Sequence, residues 1–139
     1  MKKLTDLKEI LFWKTTLIIL GILALLTCIV RISGFWSSYV LDMVGPAWIY
    51  ILLRGQYTSK GSYPFLSKFT PELTALLCLG ICFIIETSQY FNLYDAHFDP
   101  YDYLAYASLL TPCFLIEKFL TKTAIEAARA GEQSVFGLR

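Results

Sequence analysis

Four long apolar runs, at 15–30, 35–53, 73–91 and 103–116, decide most of what this chain can become. The second and third are 19 residues each. At 1.5 Å of rise per helical residue that is close to the ~20 residues needed to cross the hydrocarbon core of a bilayer. The first reaches that length when Leu11–Trp13 is added and Lys14 extends its ammonium to the interface. The fourth has 14 uncharged residues and is long enough only when counted from Pro100 to Phe119, with Glu117 and Lys118 at the interface. Hydrophobic residues make up 56% of the 139, more than a soluble domain of this size can bury. A formal charge of +1 argues against nucleic acid as a partner.

The cations set the orientation. Four crossings place Lys2, Lys3, Lys8, Lys14, Arg54, Lys60, Lys68, Lys118, Lys122, Arg129 and Arg139 on one side and Arg31 alone on the other. Positive residues favour the cytoplasmic side, so both termini are expected there. The expected fold is therefore all-α: a polytopic four-transmembrane-helix bundle forming a single membrane domain. Its spans fall at about 11–32, 35–53, 73–91 and 101–119, and a cytoplasmic helical extension occupies 120–139.

Local signals mark the ends of these elements. In "TPEL" Thr70 is the expected N-cap, Pro71 the first helical residue and Glu72 a first-turn acid. "FDPYDY" repeats the arrangement with Asp99, Pro100 and Asp102. "RISGFW" reads as a tight outer turn, and Pro112 as a kink in the fourth helix. "LTKTAIEAARAG" continues the fourth helix and is expected to stop at Gly131 as a C-terminal cap. "LTDLKEILFW" reads as an interfacial lead-in to the first span. Cys28, Cys78, Cys82 and Cys113 all lie in apolar runs and are expected to be small buried hydrophobes.

The stretch "FIIETSQYFNLYDAHFDPYDYLAY" gathers four carboxylates and the only histidine without a single Lys or Arg. Glu86 sits roughly 8 Å inside the outer boundary, and Asp42 on the second span roughly 10 Å below it. A lone carboxylate at that depth is costly, so both are expected to face the bundle interior. Gln89 follows one turn after Glu86. Together these residues predict an outward-opening polar pocket between the second, third and fourth spans, with Arg31 as the natural counter-ion. Two readings stand for each acid. Asp99 and Asp102 serve as cap and first-turn acid or as part of a site; Glu86 and Asp42 hydrogen-bond across helices or bind a ligand.

No complete catalytic constellation, glycine-rich phosphate loop or zinc motif is visible. No cofactor is expected, although Asp99, Asp102 and His97 have the chemistry to hold a divalent metal with a phosphate headgroup. The lipid bilayer is the expected partner. Other membrane proteins are candidate partners through the fourth span and the 120–139 tail.

The pattern Glu86-x-x-Gln89, a short loop, then Asp102-x-x-x-Tyr106 resembles the VanZ-like family of small bacterial inner-membrane proteins. "DMVGPAWIYILL" from Asp42 resembles the polar-entry second span of that group. His97 stands nearest to the family's usual Arg, and Leu109 near its glycine. The resemblance implies a bacterial inner-membrane location, a role in the cell envelope of the glycopeptide-resistance type, and Glu86, Gln89 and Asp102 as the functional set. Three functions stay open: an acidic pocket for a lipid or cell-wall-precursor headgroup, a non-enzymatic accessory subunit of a larger complex, or a proton or ion path completed by a partner protein.

Overall fold

The computed structural model describes residues 2–30, 34–57, 69–93 and 98–136. They form four helices: α1 (Lys2–Ile29), α2 (Phe35–Arg54), α3 (Pro71–Tyr90) and α4 (Asp102–Phe136). Three of them contain stretches long and apolar enough to cross a membrane, Leu7–Ile29, Pro71–Tyr90 and Asp102–Glu126. The run at 103–116, short when counted alone, is thus extended to full length by its helical flanks.

The helices alternate in direction, giving the bundle two ends. One carries Gly34 and Asp99; the other carries Arg54 and Pro71. α2 is the hub: it packs against all three other helices, whereas among the described residues α1 rests on α2 alone. Accordingly α2 supplies Val40, Val44, Ala47, Tyr50 and Ile51 to a core completed by Trp13 and Leu20 of α1, Cys78 of α3, and Leu110 and Cys113 of α4. The α1 seam is further fixed by the Trp48 indole N–H, which donates to the Leu17 carbonyl at 3.1 Å. Gly21 lies against it: a Cβ there would sit in ordinary van der Waals contact, 3.8 Å from the indole nitrogen. The outer faces are apolar: Leu11, Ile18, Leu25 and Ile29 of α1, and Leu76 and Ile84 of α3, are all exposed. Such a continuous apolar belt suits a lipid solvent rather than water.

The start of α3 follows its sequence signal. Thr70 Oγ1 accepts the Leu73 N–H at 3.2 Å and Pro71 occupies the first turn. α2 ends on Gly55, whose φ of +61° is the left-handed conformation of a helix C-cap. α1 is one unbroken helix from Lys2, and the "LTDLKEILFW" segment is its first part. α4 departs from expectation at its far end: it runs through Gly131 to Phe136, so Gly131 is not its cap. Glycine weakens a helix there by only about 1 kcal/mol relative to alanine, too little to stop one that meets no other chain reversal. Pro46 and Pro112 lie inside α2 and α4, each freeing the carbonyl four residues earlier, those of Asp42 and Ser108. Cys78 and Cys113 are buried, Cys82 is half-buried, and Cys28 is exposed on α1, contrary to its expected burial. Among the described residues α1 has α2 as its one neighbour, so most of its surface, Cys28 included, is exposed. The "RISGFW" turn falls largely outside the described residues, as do Arg31 and His97.

Candidate functional site

The Asp99 end is built around one fully buried carboxylate. Glu86 of α3 accepts the Asp99 backbone N–H at 3.0 Å on Oε1 and the Tyr106 hydroxyl of α4 at 3.2 Å on Oε2. Asp99, in the turn leading to α4, accepts the Tyr39 hydroxyl of α2 on Oδ2 at 2.7 Å and the Tyr101 N–H on Oδ1 at 2.9 Å. The second bond is the one a helix cap makes, although the regular helix begins at Asp102. The chain Tyr39–Asp99–Glu86–Tyr106 therefore ties together α2, the turn, α3 and α4. Beside it the hydroxyls of Thr87 and Tyr103 share a hydrogen bond at 3.1 Å, and Phe83 meets the Tyr103 ring edge-on at 4.8 Å.

Two more carboxylates join this frame without being held by it. Asp42 of α2 and Asp102 of α4 are half-buried, and neither side chain takes a hydrogen bond from the described residues. Asp42 lies within electrostatic reach of Glu86, and Asp102 within reach of Asp42, Glu86 and Asp99. Among the described residues no three of these acids converge closely enough to enclose a metal ion. Gln89 stands apart: it is half-buried and its amide bonds to none of the described side chains. At i+3 from Glu86 it is rotated about 60° from that carboxylate. Of the predicted pocket residues, the structure thus brings together Asp42, Glu86, Asp99, Asp102 and Tyr106, and leaves out Gln89.

An open groove of about 390 Å³ runs along the seam of α2 and α4, lined by Tyr39, Met43, Tyr101, Leu104, Ala105 and Ser108. Its size falls in the range of small-ligand clefts, roughly 300–1,000 Å³. Its wall is almost wholly apolar, and Tyr39 joins it to Asp99.

The Arg54 end holds a second buried acid, whose enclosure among the helices was not expected from the sequence. Glu117, expected at the membrane interface, is 1% exposed within the bundle. It accepts the Tyr50 hydroxyl at 2.6 Å, the Gln56 amide at 2.6 Å, and Arg54 through Nε at 2.8 Å and Nη2 at 2.5 Å. Arg54 Nη1 also donates to the Phe69 carbonyl, tying in the segment that enters α3. A sequence signal for this burial exists: Glu117 continues the face of Tyr106, Leu110 and Cys113 at helical spacing. The next residue, Lys118, turns outward to an exposed ion pair with Glu72 at 2.9 Å.

The geometry defines an all-helical bundle with the surface of a membrane protein, one charge-balanced polar clasp and one acidic end. Comparison of the chain with protein-family models, curated proteins and solved structures gives no match.

Proposed function

We propose that the protein is an integral membrane protein of the bacterial cytoplasmic membrane, of VanZ-like kind, whose acidic end binds the headgroup of an envelope lipid or lipid-linked cell-wall precursor. In this reading all four helices cross the bilayer with both termini in the cytoplasm, as the one-sided distribution of Lys and Arg favours. The Asp99 end then opens outward. The observation that carries the reading is the division of labour among the acids. Glu86 and Asp99 use their oxygens to brace the frame, while Asp42 and Asp102 are half-buried and take no hydrogen bond from the described residues; an apolar groove lies between the same two helices. Polar groups converging beside an apolar cleft are the general pattern of a ligand site. The test is purification in mild detergent followed by native mass measurement. A particle near 15.8 kDa plus one lipid, with occupancy reduced by Asp42→Asn, is expected. Lipid-free protein, or a variant that retains its lipid fully, refutes the reading.

A second reading, an accessory subunit of a larger complex, is favoured by α4 itself. Beyond Lys118 it leaves the bundle, Thr121–Glu126 are exposed, and the helix continues to Phe136. Eighteen further residues project roughly 27 Å. This reading expects stoichiometric protein partners that are lost when residues 121–139 are deleted.

A further inference from the structure

Resting on the membrane reading above, we propose that two collars of exposed aromatic side chains seat the protein in the two headgroup layers of a bilayer, with the hydrocarbon held between them. The collar at the Asp99 end is made of Tyr90 and Phe91, where α3 stops, and Tyr101, just before α4 begins. The collar at the Arg54 end is made of Phe12 of α1 and Phe119 of α4, with the exposed Lys14 and Lys118 beside them. The members of each collar share a level. At the first, the Tyr90 ring meets Phe98 edge-on at 5.2 Å and Glu86 accepts the Asp99 N–H, so the end of α3 lies beside the start of α4. At the second, the Trp48–Leu17 bond sets the register of α1 on α2, and about one and a half turns further on Phe12 reaches the level of Arg54. Arg54 is paired with Glu117, two residues before Phe119.

The partner is lipid rather than another protein because the exposed side chains are sorted by depth. Between the collars they are aliphatic: Ile18 and Leu25 of α1, Ile81 and Ile84 of α3, and Leu115 of α4. Two exposed rings fall between the levels, and the fold uses both: Trp48 bonds the Leu17 carbonyl and Phe83 packs on Tyr103. Across 15–30, 73–91 and 103–116 no exposed residue is charged. A protein interface gathers its aromatic anchors at the centre of the patch. A bilayer instead draws tyrosine to its boundaries, where the ring stays in the apolar layer and the hydroxyl reaches water, and lysine extends its ammonium the same way. The spacing agrees. Tyr101 and Phe119 are 18 residues apart on α4, roughly 27 Å of helix, close to the ~30 Å of a hydrocarbon core. The apolar face of α3 has the same length, from Leu73 to Phe91, and is closed by the exposed Glu72 paired with Lys118. Asp99 then lies in the headgroup layer, and α4 stands clear of the bilayer from Thr121 onward.

The experiment introduces one tryptophan into the full chain, as Phe91→Trp, Tyr101→Trp, Phe119→Trp or, midway between the collars, Ile81→Trp. Each variant is reconstituted in phosphatidylcholine vesicles whose chains are brominated either near the headgroup or near their ends. The fluorescence added over wild type, which carries Trp13, Trp36 and Trp48, is read for quenching. All four positions are exposed, so unchanged helicity is expected, and the collar variants that keep it decide the outcome. The three collar positions are expected to be quenched about twofold more by shallow bromine than by deep bromine, and Ile81→Trp to show the reverse. Deep quenching at a collar position, or none from either lipid, overturns the assignment when Ile81→Trp is still quenched by deep bromine; absence of quenching marks a collar covered by protein or standing in water. An Ile81→Trp signal that neither lipid quenches overturns the membrane reading itself, so the two failures are distinguishable.

Discussion

Glu117 and Lys118 are adjacent on α4 and both pair with an opposite charge, yet removing them should have very different consequences. Glu117 is 1% exposed and receives two donors, the Tyr50 hydroxyl and the Gln56 amide, besides the Arg54 guanidinium edge. Glu117→Ala strips the partner from Arg54, whose side chain is 14% exposed, and from the Tyr50 hydroxyl. Breaking one side of such a buried pair costs about 3–5 kcal/mol, because the remaining charge is left uncompensated. Replacing both partners with apolar residues, as in Arg54→Met with Glu117→Leu, should cost much less than the single change, since no buried charge is left over. Lys118→Ala loses only the exposed contact to Glu72 and is expected to shift stability below the resolution of the measurement. The assay is reversible unfolding of the purified protein in mixed micelles as the denaturing detergent fraction rises, read by helicity. A Glu117→Ala loss below about 1 kcal/mol, or a double variant no more stable than the single one, would show that the clasp is hydrated and that the burial argument is wrong.

Three further outcomes are expected. Tyr106→Phe removes a donor from the buried Glu86 and should destabilise the bundle by about 1–3 kcal/mol in the same unfolding assay, with no loss if water replaces the hydroxyl. Gly21→Leu places a bulky side chain against Trp48 on the one seam that α1 makes among the described residues, so proteolysis in detergent should release α1 faster while α2–α4 stay protected; uniform protection would refute the seam. Gly131→Ala should raise helix content by circular dichroism, because the helix passes through that position; a decrease would indicate a left-handed cap after all.

What the sequence made legible, and what it hid, divides along physical lines. Depth is written into each apolar run, so the convergence of Asp42, Glu86, Asp99 and Asp102 at one end was readable by counting residues from the run boundaries. Caps are local chemistry, so Thr70 and Pro71 were readable too. Azimuth is not local. Whether Glu86 would be saturated depends on how α2 and α4 rotate Tyr39 and Tyr106 towards it, and the same rotation leaves Gln89 out. Glu117 was hidden for another reason. Its depth near the helix ends was readable, but its partner Arg54 is 63 residues away along the chain. Gly131 shows the converse error, a genuine local stop signal too weak to end a helix that already has 29 residues behind it.

The two buried glutamates share one design and differ in a single respect. Each receives a tyrosine hydroxyl from a neighbouring helix, Tyr106 to Glu86 and Tyr50 to Glu117. Along α4, Tyr106 and Glu117 are 11 residues apart, so the two sites are separated by roughly 16 Å of the same rod. At Glu117 the negative charge meets a guanidinium within the fold, and the site is complete as it stands. At Glu86 the donors from the described residues are neutral, and Asp42 and Asp102 add charge of the same sign nearby. Stability alone would favour replacing those two half-buried acids with apolar residues of similar volume, since nothing described here compensates them. Their presence at the end that also holds the apolar groove is therefore the strongest argument that the Asp99 end exists to meet something outside the chain, while the Arg54 end exists to hold the chain together.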